Sequence, residues 1–170
     1  MATVTSTKAA QTVSLNESGL LKRVQSIRYG DVVRAGAYAT DDTATFTIPV
    51  NAGEIVEKVV VKLNTAFADS GTGDQLNIIV GDGDDADGFV TSAALHTTQT
   101  EITYVWNTGL YFVGEAGTTD PVNATNGKLY LADDTIDIVL DGSAGASIDL
   151  DLLTAGDVDV IVYGVDTNAV

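Results

Sequence analysis

Four aspartates fall within six positions of the stretch GDGDDADGF, from Gly81 to Phe89. Carboxylates at that density could hold a hard cation such as calcium, which takes six to eight oxygen ligands. An EF-hand loop needs acids at its first, third and fifth positions, glycine at the sixth and glutamate at the twelfth. Counted from Asp82, the third position is Asp84, but the fifth is Ala86, the sixth Asp87 and the twelfth Ala93. Counted from Asp85, the third is Asp87 but the fifth is Phe89. The motif fails in both registers, and only an irregular calcium loop stays open. The other reading is a solvated bend after a strand. Gly81 and Gly83 supply turn geometry, the aspartates bond nearby backbone donors, and Phe89 and Val90 return to the core. That bend is the expectation, with no metal ligand and no cofactor assigned.

Other chemistry is thin. The chain lacks cysteine, which removes disulfides, thiolate zinc sites and cysteine nucleophiles. Its one histidine, His96, has no acid within two positions, and no G-x-S-x-G surrounds Ser92. A glycosidase needs a pair of carboxylates, one sheltered enough to shift its pKa, and no pair stands out. No catalytic residue is therefore assigned, and the chain is read as a non-enzyme. Tyr104, Trp106, Tyr111 and Phe112 cluster in sequence. Exposed, such rings could stack on sugar faces; alternation with Thr103 and Val105 favours core packing instead. A carbohydrate- or receptor-binding module is the alternative function that this cluster keeps alive.

Charge separates the chain into two parts. The net charge is −16. Residues 1–40 carry five bases (Lys8, Lys22, Arg23, Arg28, Arg34) against two acids, whereas residues 41–170 carry three bases against 22 acids. Such an acidic body repels phosphate backbones, so no nucleic-acid partner is expected. No apolar run approaches the roughly 18–20 residues that cross a bilayer, and the N-terminus lacks an apolar signal stretch, so no membrane partner is expected and the chain should be soluble.

The elements that would hold these residues have the period of strands. Ala44, Phe46, Ile48 and Val50 alternate with Thr45, Thr47 and Pro49. Val59, Val61 and Leu63 share a face, as do Leu76, Ile78 and Val80. Ile136, Ile138 and Leu140, then Ile148, Leu150 and Leu152, then Val158, Val160 and Val162 repeat the pattern. EITYVW (101–106) and GLYFV (109–113) read as further strands, and Asn126-Gly127 as a hairpin turn. Turn signals every 8–12 residues or so predict an all-β sandwich or barrel. Residues 1–40 read as an N-terminal arm and 41–170 as the acidic β-sandwich domain. Within the arm, Leu20, Leu21, Val24 and Ile27 fit a short helix, and GDVVRAGAYAT (30–40) fits an entering strand. The arm's apolar residues, together with Lys22, Arg23, Arg28 and Arg34, are the candidate contacts to another subunit or an acidic surface.

The chain resembles small structural proteins of tailed bacteriophages. The resemblance lies in IPVNAGEIVEKVVVKLNTAF (48–67), IIVGDGDDADGFV (78–90), GLYF (109–112) and the closing strand DVDVIVYGVD (157–166). It is similar to the capsid decoration, or cement, proteins of that group. The resemblance implies a jelly-roll-type β-sandwich without catalytic residues, bound as a trimer or dimer to the major capsid protein. It implies a place on the phage head after synthesis in the host cytoplasm. The arm at 1–40 lies outside the resemblance.

Overall fold

The computed structural model describes residues 3–6, 11–14, 19–35, 43–71, 75–96, 104–106, 108–113, 127–142 and 149–169. The alternating segments form strands as their pattern predicts. They are β4 (Thr43–Val50), β5 (Glu54–Asp69), β6 (Asn77–Gly81), β10 (Asp134–Asp141) and β11 (Leu153–Asp166). Before them run β1 (Thr3–Ser6), β2 (Gln11–Ser14) and β3 (Leu20–Arg28); between them lie β7 (Val90–Ala94), β8 (Tyr104–Trp106) and the two-residue β9 (Lys128–Leu129). Two short helices, α1 (Tyr29–Ala35) and α2 (Leu110–Val113), complete the set with two 3₁₀ turns, Leu150–Leu152 and Thr167–Ala169.

One sheet has the order β1-β4-β10-β6-β7, and the other β2-β3-β11-β5-β8, with β9 also on β5. Four strands of each sheet interleave as β4-β10-β6-β7 and β3-β11-β5-β8. Successive strands cross between the two layers at β3–β4, β4–β5, β5–β6, β7–β8 and β10–β11, whereas β6 and β7 pair within one sheet. The fold is thus an all-β sandwich. β1 extends the first sheet in parallel with β4, and β2 extends the second antiparallel to β3. β1 pairs only with Thr43–Phe46, so Pro49, which has no N–H to give a ladder, stands beyond its reach.

The layers meet through the side chains that the period placed inward. Ala44, Phe46, Ile48, Val59, Val61, Leu63, Ile78, Val80, Ile136, Ile138, Leu140, Val158, Val160 and Val162 form one buried cluster. Burying a side chain the size of Phe46 or Ile138 contributes about 1.5–3 kcal/mol. Among the described residues no helix is long and apolar enough to cross a membrane.

Five expectations are corrected. Leu20, Leu21, Val24 and Ile27 form no helix; they lie on β3, which pairs along its length with β11. The N-terminal region is therefore not a free arm: β3 is an interior strand, with β2 at its other edge. The strand expected over 30–40 is replaced in its described part by α1 (Tyr29–Ala35), whose Val32 is buried. GLYFV contributes the helical turn α2. Leu150–Leu152, expected within a strand, is a 3₁₀ turn capped by Asp149, whose side chain accepts from the Asp151 N–H; Leu150 is buried and Leu152 exposed. Ile148 lies outside the described residues.

Candidate functional site

The aspartate loop is built around one carboxylate. Strand β6 ends at Gly81, a residue so closely covered by the backbone of Asp85 and Ala86 that a Cβ would collide with both. The chain then turns back: the Asp82 N–H donates to Asp85 O at 2.9 Å, and the Phe89 N–H to Val80 O at 3.0 Å. Asp82 Oδ1 accepts from the N–H groups of Asp84 (3.0 Å) and Asp85 (3.1 Å), the local bonding that suits aspartate to turns. The turn chemistry expected from the sequence is present.

The centre of the loop is not solvated. The Asp82 side chain is 0% exposed. It accepts from three groups far away in sequence: Tyr111 Oη at 2.7 Å, Tyr130 Oη at 2.7 Å and Lys128 Nζ at 2.6 Å. Lys128 Nζ also reaches Asp84 at 2.9 Å and Tyr111 Oη at 3.1 Å. Its ammonium lies 4.6 Å from the centre of the Tyr111 ring and 4.9 Å from that of Tyr130, within cation–π range. Tyr111 is held from behind by an edge contact with Phe89 at 4.9 Å and by its N–H on Gly88 O at 2.9 Å. The chain's own ammonium thus fills the place that a bound cation would take beside Asp82. Among the described residues, no three carboxylate or imidazole groups converge to hold a metal ion.

The electrostatics follow from burial and charge. Burial alone would raise the Asp82 carboxyl, but hydrogen bonds from Lys128, Tyr111, Tyr130 and the Asp85 backbone outweigh it and hold it below the usual carboxylate range. Burial works against the Lys128 charge, yet Asp82 and Asp84 hold that ammonium above its ordinary value. Burial and the Asp82 charge push both tyrosine hydroxyls upward. Asp87, hydrogen-bonded to Asp85 and repelled by it, is pushed upward as well.

A second buried ion pair closes the sandwich elsewhere. Arg23 Nη1 and Nη2 each donate to Glu54 at 2.6 Å, a two-pronged geometry, and Asn51 Nδ2 adds a third bond at 2.6 Å. The two charged side chains are only 6% and 3% exposed. Burial would raise the Glu54 carboxyl, but its bonds from Arg23 and Asn51 bring it below its ordinary value.

Both lowered carboxyls stabilise the fold above their unfolded pKa, and that contribution is lost as pH falls through the lower folded values. The raised Lys128 and the raised tyrosines act at the other end: their contribution is complete below an unfolded pKa of about 10 and is lost as pH rises above it. The urea midpoint is therefore expected to be flat from about pH 5 to 9 and to drop on both flanks. A midpoint that declines steadily across neutrality would contradict these assignments. A chelator is expected to leave the melting temperature unchanged; a drop reversed by calcium would show that the loop needs a metal ion.

The structure scatters the residues singled out as arm contacts. Arg23 is buried on Glu54, and Ile27 is in the core. Leu20 and Arg28 are exposed, while Leu21, Lys22 and Val24 are half-buried on β3. Arg34 lies on α1; its side chain is outside the described residues. Of the sugar-stacking set, only Tyr111 has a described side chain. Tyr111 is 7% exposed with its hydroxyl committed to Asp82. The side chains of Tyr104, Trp106 and Phe112 are outside the described residues. His96 forms a backbone bridge with Phe67. Sequence reasoning missed Lys128, Tyr130 and Glu54. One signal for Lys128 was present: it is the only basic residue after Lys62, in the most acidic part of the chain.

No protein-family model matches the chain, and no curated protein sequence matches it. Among solved structures, it is similar to a chain of the cyanophage Pam1 capsid asymmetric unit, with 16% identity, a TM-score of 0.55, and 93% of this chain and 94% of that one covered. It also aligns with a chain from the capsid of Ralstonia phage GP4 (11% identity, TM-score 0.49, 97% and 98% covered). A third alignment is to the acid-stable capsid structure of Helicobacter pylori bacteriophage KHP30 (10% identity, TM-score 0.46, 93% and 94% covered). The first shows a shared fold and nothing more; the other two are too distant to argue from.

Proposed function

We propose that the protein is a non-enzymatic structural component of a bacteriophage particle, a decoration or cement protein attached to the major capsid protein of the head. It would be made in the host cytoplasm and bind as a homo-oligomer, a trimer or dimer. The observation that carries this reading is the end-to-end similarity of fold to a chain of a cyanophage capsid, 93% of one covering 94% of the other. Two features of the chain support it. Its strongly perturbed groups are tied to one another: Asp82 to Lys128 and two tyrosines, Glu54 to Arg23. Such groups cross-link strands instead of waiting for a substrate. The remaining acids give the whole chain a net charge of −16, which favours solubility at high copy number. In this reading Leu20 and Arg28, exposed on β3, and half-buried Lys22 would contact capsid or sister subunits.

Quantitative mass spectrometry of gradient-purified particles tests the proposal. The expected result is this chain in DNA-filled heads at a copy number commensurate with the major capsid protein. Absence from particles, or a handful of copies lost when tails are removed, would overturn it.

A further inference from the structure

The two outer faces of the sandwich carry opposite charge around matching apolar rows. On the β4-β10-β6 face, Thr45, Val139 and Ile79 line up across the strands. Asp137 lies in the row on one side, between Thr47 and Gly81; Asp141 lies in the row on the other, between Thr43 and Asn77. No strand of that sheet contains lysine or arginine. On the β3-β11-β5 face, Val24, Ile161 and Val60 line up in the same way. Lys22, Tyr163 and Lys58 form the row on one side, and Ser26, Asp159 and Lys62 the row on the other. Asp159 accepts from Ser26 at 2.6 Å and Asn64 at 2.9 Å within its own face, and Asp137 accepts from Thr135 at 2.8 Å within the other. Lys22, Lys58 and Lys62 are three of the chain's eight basic residues. Their rows flank an apolar stripe on a molecule that is otherwise acidic. Val24, Ile161, Val139 and Ile79 are half-exposed, while Val60 is buried at 8% exposure.

We propose that the lysine-flanked face of one copy docks on the aspartate-flanked face of a second copy of this chain. Both faces are antiparallel sheets, with strands about 4.8 Å apart, so their three-strand rows have the same spacing and can lie one on the other. The apolar rows supply area; Asp137 and Asp141 meet lysines, where two like faces would repel. The contact joins different patches, so it is heterologous and builds rings or rows, not an isolated two-fold pair. It stands on the charge pattern alone and does not depend on the virion reading.

Sedimentation of the full chain at about 0.15 M salt tests it, because the Debye length there is about 8 Å and long-range repulsion between acidic bodies is screened. Wild type is expected to sediment faster as concentration rises. Lys62→Glu and Asp137→Lys should each weaken self-association by about tenfold or more. Mixing the two variants, or combining both changes in one chain, should restore it. Lys22→Glu repeats the first test at a second position, and circular dichroism checks that each variant is folded. A wild type that stays monomeric at every concentration would overturn the proposal. So would association that the single reversals leave intact, or folded singles that the mixture fails to rescue.

Discussion

Removal of residues 1–30 is expected to abolish cooperative folding. The segment contains β3, which supplies one of the two neighbours of β11 through nine paired positions, Leu20↔Val165 to Arg28↔Asp157. Its loss opens the edge of the second sheet and removes Ile27 from the core. It also strips Glu54 of Arg23, leaving a carboxylate in a site where the side chain is 3% exposed. Orphaning a buried charge alone costs about 3–5 kcal/mol, against a total stability of about 5–15 kcal/mol for a typical domain. Urea titration followed by circular dichroism should show no sigmoidal transition. A milder deletion, of residues 1–14, takes only the edge strands β1 and β2 and should leave a folded chain with a lower midpoint. If the longer truncation still unfolds cooperatively, the N-terminal segment is an appendage and β3 does not hold the sandwich.

Replacing Lys128 by methionine is expected to cost about 3–5 kcal/mol. Methionine keeps much of the apolar stem but removes the ammonium, so the buried Asp82 carboxylate loses the cation that pairs with it. For a domain of this size that loss lowers the melting temperature by about 6–20 °C. The acid flank of the stability profile should move toward neutrality, because Asp82 without Lys128 takes up a proton more readily. Adding Asp82→Asn to Lys128→Met removes the orphaned charge and should recover more than half of the lost stability. A loss below about 1 kcal/mol for the single variant is the value of an exposed pair; that result would mean the cluster does not close the loop.

The core was legible in the sequence wherever strands bury an apolar face. Phe46, Ile138, Val61 and Val160 could be placed inward from alternation alone. β3 was not legible because its inner positions include Arg23 and Gln25, both buried. An ion pair with Glu54 pays for one of them, and a period-two search sees a polar face where the strand meets the core. Its apolar Leu20, Leu21, Val24 and Ile27 then mimic a helix. SIDLDLL misled in the opposite sense: Asp149 caps a turn, bonding the Asp151 N–H, so alternation there reflects local hydrogen bonding and not a ladder. The helical turn at Leu110–Val113 is set by Tyr111, which must bring its hydroxyl to Asp82. That requirement comes from a residue 29 positions away. The turn character of the aspartate loop was readable because it is made within the loop. The closing partners, Lys128 and Tyr130, are 46 and 48 residues distant, and local pattern carries no such information.

The central claim is that the aspartate loop is closed by the chain's own lysine and serves to hold strands together. Proton–nitrogen NMR tuned to lysine ammonium groups tests it most directly, since exposed ammonium protons exchange with water too fast to be seen. One protected ammonium signal is expected at neutral pH, lost in Lys128→Met and unchanged by added calcium. No protected signal, or one that vanishes as calcium is added, would contradict the claim.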